Sequence, residues 1–259
     1  MNDWLHGLPL AWMAVTVFGT IYLIAAAIYG IVMILAAGER ARAFKAVSPG
    51  MLPPLGILFG LFVGFTAAQV WSDNDRANSA VIREASALRA AVVLAAAFPG
   101  ESEIRLNTLI RNHIEEAANR EWPAMANRTA SLAATPGALV EALQATLALT
   151  PVNPGQQTAQ AGITTELQTA LAARRDRILI SRSEVNSVKW SGIILMAVCA
   201  LSAIAFVHSD NKLAAAIAMG LFATGIAASV LLIAAYDRPF IGQLSVGPEP
   251  LLQVMPRAD

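Results

Sequence analysis

Residues 52–89 read LPPLGILFGLFVGFTAAQVWSDNDRANSAVIREASALR, and this stretch decides the fold. Its first half is apolar with regularly spaced glycines, as in a membrane helix. Its second half is polar, with apolar residues at helical spacing. No proline follows Pro54 until Pro99, so nothing in between breaks a helix. The stretch therefore predicts one continuous helix from Leu52 to Phe98. At 1.5 Å per residue it would be about 70 Å long, over twice the thickness of the bilayer core.

The composition of the chain is that of a membrane protein. Of its 259 residues, 56% are hydrophobic and 14% are charged, whereas soluble domains carry roughly 25% charged residues. The 18 basic and 18 acidic residues balance, so no nucleic-acid partner is indicated. The single cysteine, Cys199, excludes an internal disulfide. A cleaved signal peptide is not expected, because the first nine residues lack Lys and Arg and the following apolar run is too long.

Four segments lack Asp, Glu, Lys and Arg and are long enough, at about 20 residues, to cross a bilayer. They predict an all-α membrane protein with transmembrane helices at residues 10–37, 52–70, 190–207 and 213–236. Four spans place both termini on the same side of the membrane. Aromatic residues that favour the headgroup layer lie at or near the segment ends, namely Trp12, Trp71, Trp190 and Tyr236.

Residues 71–189, between the second and third spans, are predicted to form a helical domain outside the membrane. Apolar residues recur there at helical spacing, and no strand alternation is visible. Proline and glycine predict breaks at Pro99-Gly100, Trp122-Pro123, Pro136-Gly137 and within residues 150–157. This pattern predicts four or five helices, the first continuous with the second span and the last continuous with the third.

The second span carries two stripes of interest. Gly56, Gly60 and Gly64 recur every four residues, which favours close helix–helix packing, although glycine is also common in membrane helices. On another face lie Leu58, Phe62 and Phe65. From spacing alone, contact with lipid or core packing is the simpler interpretation of these three. If several copies surrounded an axis, however, they would form a hydrophobic constriction.

Thr66 and Gln69 are the polar groups near the end of the second span. They would either meet a solvated ion or hydrogen-bond a neighbouring helix, and the sequence favours neither interpretation. The spans contain no ionisable residue, which argues against a proton-coupled transporter.

No enzyme motif is visible. The chain has no P-loop and no nucleophile elbow, and His6, His113 and His208 are isolated from one another and from cysteine. We therefore predict no catalytic site, no cofactor and no metal site.

The segment after the fourth span has a more distinctive sequence than a disordered chain end would need. Pro239 stops the helix, and Phe240 and Gly242 suit a tight return of the chain. Residues 237–259 are predicted to form a docked tail, with Asp237, Pro239, Phe240 and Gly242 as its docking residues. A disordered tail is the alternative.

Two stretches together resemble the bestrophin ion channels and, more closely, the bacterial bestrophin-like membrane proteins of unknown function. The first contains Leu55-Gly56-Ile57, Leu61-Phe62-Val63-Gly64-Phe65, Trp71 and Arg76-Ala77, and the second is Asp237-Arg-Pro-Phe-Ile-Gly242. Bestrophins carry a similar Leu-Gly-Ile and Phe-Leu-Gly-Phe run, and an Asn-Pro-Phe-Gly motif after their last span. The order of four spans with a helical insert also agrees.

The resemblance implies a pentameric anion channel in which the second span lines the pore. Leu58, Phe62 and Phe65 would form its neck, Thr66 and Gln69 would lie beside it, and the central helices would form a cytoplasmic vestibule. Calcium gating is not predicted, because Gln243-Leu-Ser-Val-Gly247 replaces the acidic run of the calcium-gated members.

Orientation rests on the positions of Lys and Arg. Counting the flanks of the central region favours a cytoplasmic central domain and termini. If that region is left out, the preference reverses. One side of the membrane then has four basic residues, Arg40, Arg42, Lys45 and Lys212, and the side with the termini has two, Arg238 and Arg257. The resemblance favours the first orientation, in a bacterial inner membrane.

We thus expect an oligomeric, anion-conducting channel whose partners are its own copies, membrane lipid and small inorganic ions. The alternative is a non-conducting membrane scaffold or sensor that binds another protein.

Overall fold

A computed structural model describes residues 3–36 and 49–257 of the chain. Within these residues the structure is helical and contains no strand, so the predicted all-α class is confirmed. The helices are α1 (Asp3–His6), α2 (Leu10–Leu35), α3 (Leu52–Ala95), α4 (Glu101–Glu116), α5 (Trp122–Ala126), α6 (Gly137–Leu147), α7 (Pro154–Ile180), α8 (Ser187–Val207), α9 (Lys212–Tyr236) and α10 (Glu249–Gln253).

Four of these helices are long and apolar enough to cross a membrane, as the sequence predicts. They are α2, α3 with the short turn before it, α8 and α9. Pro9 immediately precedes α2, and Asn211 caps α9 by accepting a hydrogen bond from the Ala214 amide at 3.1 Å. The loop with Arg40, Arg42 and Lys45, which enters the orientation argument, lies outside the described residues.

Helix α3 is continuous over 44 residues, about 66 Å at 1.5 Å per residue. The predicted continuity across the end of the second span is therefore confirmed. The helix ends at Ala95, three residues before the predicted end, and the Phe98 amide donates to the Ala95 carbonyl at 2.9 Å. Gly100 follows with a φ of +94°, a conformation that glycine adopts without the steric cost of a side chain.

The prediction of a continuous helix into the third span is wrong. Helix α7 ends at Ile180 and α8 begins at Ser187. Between them the side chain of Asn186 accepts a hydrogen bond from the Val188 amide at 3.0 Å. An asparagine in this role satisfies a free amide at a helix N-terminus, so the residue starts a new helix.

The predicted break at Trp122-Pro123 is also wrong. Residues Ala117–Glu121 form a π-helical turn that joins α4 directly to α5. The Trp122 amide donates to the Ala117 carbonyl, five residues back. This wider turn accommodates Pro123, which in a regular helix would clash with a carbonyl of the preceding turn.

The described chain divides into two compact units. Unit 1 comprises Met1–Ser72, Glu184–Arg238 and Gly242–Leu244. In unit 1, α2, α8 and α9 pack against one another around buried side chains that include Val17, Ile193 and Ile226. The hydroxyls of Tyr22 and Thr224 lie 2.7 Å apart and join α2 to α9.

Unit 2 comprises Asp73–Ser183, Pro239–Ile241 and Ser245–Asp259. Here α6 packs against both α4 and α7. The core is built from side chains that no solvent reaches, among them Leu88, Ile110, Ile114, Ile163 and Leu167. Asn153 caps α7 by accepting a hydrogen bond from the Gln156 amide at 2.9 Å.

Candidate functional site

The membrane part of α3 has one packed face and one wide exposed face. Phe59, Ala67 and Val70 are buried within unit 1. At about 100° per residue, the exposed positions cover about 200° of the helix circumference. The larger apolar side chains on this face are Ile57, Leu58, Leu61, Phe62 and Phe65. An apolar surface of this kind contacts lipid or another protein chain.

The three predicted neck residues lie together in an open groove on this face. Leu58, Phe62 and Phe65 line it with Leu61, Thr66 and Lys189, and its volume is about 320 Å³. Their exposed fractions are 49%, 44% and 74%, so none of the three is a core residue of the single chain. Core packing, one of the two simpler interpretations of this stripe, is thereby excluded.

The ring of Phe62 lies close to α8 at Gly192. A Cβ atom at Gly192 would come within 3.0 Å of Phe62 Cε1. That separation is below an ordinary van der Waals contact, so a side chain at position 192 would push the ring away. Gly192 therefore leaves the space beside α8 that the Phe62 ring occupies.

Thr66 and Gln69 both have partners within the chain. Thr66 is buried, and its hydroxyl donates to the Phe62 carbonyl at 2.8 Å. The side-chain carbonyl of Gln69 accepts a hydrogen bond from Lys189 Nζ. The Thr66 hydroxyl is thus satisfied within its own helix, whereas Gln69 bonds to the neighbouring helix α8 and lies beside a cation. Their place next to a pore stays a prediction.

Lys189 is a groove residue that the sequence did not single out. It lies on the first turn of α8 and is the one charged side chain among the described residues that line the groove. Its partner, the Gln69 amide, is neutral, and none of the carboxylates in residues 3–36 and 49–257 forms an ion pair with it. The groove therefore carries an uncompensated positive charge.

The glycine ladder makes no close contact within the chain. For Gly56, Gly60 and Gly64, an added Cβ would meet no atom of the described residues within 4 Å. Close helix packing through these glycines is therefore absent within one chain. It stays a prediction for contacts between chains.

In unit 1, Asp237 ties the end of α9 to two other segments. Its carboxylate accepts a hydrogen bond from the Val185 amide at 2.6 Å, and its second oxygen lies 3.5 Å from His6 Nε2. Burial raises the pKa of Asp237 above its ordinary value, although the Val185 amide and Arg238 oppose that rise. Gly242 has a φ of +91°, and a Cβ there would lie 3.3 Å from the His6 carbonyl oxygen.

In unit 2, the tail residues Pro239 and Phe240 contact the region around α5. The ring of Phe240 is buried and meets the Trp122 ring edge-on, with the centroids 6.0 Å apart. The Val246 amide donates to the Pro239 carbonyl at 2.7 Å, and Trp122 Nε1 donates to the Val246 carbonyl at 3.0 Å. These contacts hold the tail segment in an ordered return.

A buried ionic cluster in unit 2 was not predicted from the sequence. Glu84 on α3 accepts hydrogen bonds from Arg177 on α7 and lies 3.0 Å from His113 on α4. Arg177 also donates to Glu121 at 2.8 Å, and Arg174 Nε donates to the same carboxylate at 2.7 Å. The cluster joins three helices and the π-helical turn through two carboxylates and two guanidinium groups.

The electrostatics of this cluster stabilise the ionised forms. Burial alone would raise the pKa of Glu84, but the charge of Arg177 and hydrogen bonds from His113 and Arg177 lower it overall. Burial alone would lower the pKa of Arg177, and Glu84 and Glu121 raise it. Since the charges balance in pairs, the arrangement suits a structural role. Among the described residues, no group of His, Cys, Asp and Glu could hold a metal ion.

The fold and these sites define the class of protein. The chain is an all-helical, multi-pass membrane protein with a second helical unit and an open apolar face on its longest helix. The family model described as the bestrophin-like domain matches residues 9–251, and the chain belongs to this family. The resemblance noted in the sequence is thereby confirmed. At the family level, this membership supports an ion channel rather than an enzyme.

Solved structures with the same fold include bacterial bestrophin homologues from Klebsiella pneumoniae. One mutant crystal structure is 12% identical, has a TM-score of 0.73, and covers 92% of this chain and 97% of its own. A second, solved by zinc phasing, is 12% identical with a TM-score of 0.69 and covers 91% and 97%. A mutant of a protein described only as a membrane protein is 13% identical, with a TM-score of 0.71 and coverage of 93% and 99%. A comparison with curated proteins found no match.

Proposed function

We propose that the protein is a homo-oligomeric, anion-conducting channel in which α3 lines the pore. The observation that carries this proposal is the open groove on α3, where Leu58, Phe62 and Phe65 are exposed next to Lys189. One chain cannot enclose a path for ions, because the groove is open along one side. A ring of copies with α3 towards the axis closes it, and five copies, as in the bestrophins that the sequence resembles, form the proposed assembly.

Leu58, Phe62 and Phe65 form the neck of this pore. A ring of such side chains makes a hydrophobic constriction, which gates ions by excluding water from the narrow segment. The absence of a side chain at Gly192 leaves room for the Phe62 ring to lie against α8 at this level.

Lys189 supports anions as the permeant species. Its positive charge lies at the groove and its partner Gln69 is neutral, so several copies would create a ring of positive potential beside the neck. The membrane part of α3 carries no acidic residue that would oppose this potential.

The glycine ladder provides the contact between copies. Gly56, Gly60 and Gly64 leave the helix surface free of side chains over two turns, which permits close approach of a second helix. Gly60 and Gly64 lie in the exposed arc of α3, which is about 200° wide and has room for both the neck stripe and this contact.

The protein lies in a bacterial inner membrane, with both termini and residues 71–189 on the cytoplasmic side. Arginine residues at both flanks of the central region support this orientation, since positive residues near spans are retained in the cytoplasm. Residues 1–70 and 190–236 form the membrane part, and residues 237–259 form a docked tail.

The test is chloride flux from liposomes that contain the purified protein. Phe62→Ala removes a ring from the neck, so flux should rise severalfold. Leu23→Ala is the control, because Leu23 is 72% exposed on α2 and does not line the groove. The proposal fails if Phe62→Ala leaves the flux unchanged, or if the purified protein is a monomer. A silent planar bilayer together with a stoichiometric protein partner would favour the scaffold function instead.

A further inference from the structure

A seven-residue repeat of serine and arginine runs along the polar half of α3. Ser72 is followed four residues later by Arg76, and Ser79 is followed in the same way by Arg83. Ser86 continues the row of serines. Residues seven apart in an α-helix lie only about 20° apart around its axis, so these five side chains share one face about 80° wide. All five are exposed in the single chain.

The same repeat carries the neck stripe in the apolar half of α3. Counting back in sevens from the serines gives Phe65 and Leu58, and counting back from the arginines gives Gln69 and Phe62. Three of these four are the proposed neck residues, and Gln69 is the partner of Lys189. The stripe of α3 that carries the neck therefore continues along the same helix as a row of hydroxyl and guanidinium groups.

Both arginines of this face are paired with a carboxylate and still keep free donors. Arg76 Nη2 donates to Asp73, and Arg83 Nη2 donates to Asp176 on α7 at 2.8 Å. The arginine is the more exposed side chain in each pair, at 62% against 9% for Asp73 and 57% against 45% for Asp176. A guanidinium group has five N–H donors, and each of these bonds uses one. The face therefore presents free N–H donors, and its carboxylates are the more shielded partners.

The serine hydroxyls of this face are free as well. In other described helices, hydroxyls such as those of Thr165 and Ser191 donate to the carbonyl four residues back, each at 3.0 Å. Ser79 and Ser86 form no hydrogen bond through their hydroxyls with another residue of 3–36 and 49–257. Hydroxyl and guanidinium donors together form the kind of surface that coordinates an anion.

We propose that this serine–arginine face, residues 72–86 of α3, is a second anion-binding segment of the conduction path, and that its ligands are small hydrated anions such as chloride. The inference rests on the proposed channel function, in which copies of α3 surround an axis. Each copy then contributes Ser79 and Arg83 within about 6 Å of one another along that axis. Rings of basic side chains are the usual selectivity device of anion pores. An anion beyond the neck exchanges part of its water shell for these donors.

The test measures the chloride conductance of single channels of the full-length protein in neutral phosphatidylcholine bilayers. Arg76→Gln and Arg83→Gln each remove one charge per copy, so conductance in about 0.05 M KCl should fall about two- to threefold. In about 1 M KCl the screening length is only about 3 Å, so this loss should nearly disappear. Arg83→Lys keeps the charge and should keep the wild-type conductance. Exposed pairs contribute little to stability, so the variants should fold, which circular dichroism and gel filtration verify.

Arg89→Gln is the matched control for the two arginine variants. Arg89 is exposed on the same helix but lies about 120° from Arg83 around the axis, so its loss should leave the conductance close to that of the wild type. An equal loss in Arg89→Gln and Arg83→Gln would overturn the inference, because the effect would then come from charge anywhere on α3.

Ser79→Ala separates binding of the anion from its simple attraction. It removes one donor and leaves every charge in place. The chloride concentration that gives half-maximal conductance should therefore rise about two- to tenfold, the effect of one hydrogen bond. An unchanged concentration would overturn binding at this face.

Two further outcomes separate this inference from the channel proposal. If the wild-type protein conducts chloride and neither Arg76→Gln nor Arg83→Gln lowers the low-salt conductance, this inference alone is overturned, as it would be if the face bound acidic lipid headgroups. A wild-type protein without chloride conductance overturns the channel proposal and this inference with it.

Discussion

Arg177 donates two hydrogen bonds to the carboxylate of Glu84, at 2.8 Å from Nε and 3.1 Å from Nη2, although solvent reaches neither side chain. The same guanidinium lies 4.4 Å from the centroid of the Trp122 ring and donates to Glu121. Burying both charges has a desolvation cost, which their attraction offsets only while both partners are present. The pair thus makes the fold of unit 2 sensitive to the loss of either side chain.

We predict that Arg177→Met destabilises the protein by about 3–5 kcal/mol, because it leaves Glu84 buried without its main counter-charge. The thermal unfolding midpoint, followed by circular dichroism in detergent, should fall by on the order of 10 °C. Arg83→Met is the control. Arg83 forms an ion pair with Asp176 that is more than 40% exposed on both sides, and such pairs contribute about 0–1 kcal/mol. Equal losses in the two variants would contradict a special role for the buried pair.

Acid should destabilise the protein through Glu84. Its pKa is lowered in the folded state, while in the unfolded chain it is near 4.3. The stabilisation by ionised Glu84 is therefore complete above the unfolded-state pKa and is lost as pH falls through the lower, folded-state value. Glu84→Gln should be less stable at pH 7 and should lose less further stability between about pH 5 and pH 3. Unfolding midpoints at pH 7, 5, 4 and 3 compare the two proteins. Parallel curves would show that Glu84 does not carry this pH dependence.

The spans and the long helix could be predicted because their signal is local. A charge-free apolar run and the absence of proline between Pro54 and Pro99 suffice for α3. The break before α8 depends on the Asn186 side chain, which accepts from the Val188 amide. An asparagine before a new apolar run is a known start signal, so the sequence does carry a local signal for this boundary.

The ionic cluster and Lys189 could not be predicted because their partners are remote in sequence. Glu84 and Arg177 are 93 residues apart, and Gln69 and Lys189 are 120 residues apart. Each of these residues, taken alone, looks like an ordinary polar position on an amphipathic helix. Only the packing of separate helices turns them into a buried pair and a groove cation.

Removing the charge of Lys189 should weaken the preference for anions. A unit charge about 7 Å from an ion in water changes the energy of the ion by about 0.6 kcal/mol before salt screening. Lys189→Gln should therefore lower the chloride-to-sodium permeability ratio by about threefold or more, measured as a shift in reversal potential in planar bilayers. Lys212→Gln is the matched control, because Lys212 begins α9 and does not line the groove. An unchanged ratio in Lys189→Gln would show that selectivity arises elsewhere.

Gly60→Leu should separate the copies without disturbing the single chain. A Cβ at Gly60 meets no described atom within 4 Å, so the chain itself has room for the larger side chain. A second helix approaching the glycine ladder would have to move away. Losing about 1.4 kcal/mol of helix contact raises the dissociation constant about tenfold. Native mass spectrometry of the purified protein should then show smaller species.

Gly19→Leu on α2, where a Cβ also meets no described atom within 4 Å, should keep the wild-type mass. If Gly60→Leu also kept that mass, the contact between copies would lie away from the glycines, and the arrangement of α3 around a pore would need a different interface.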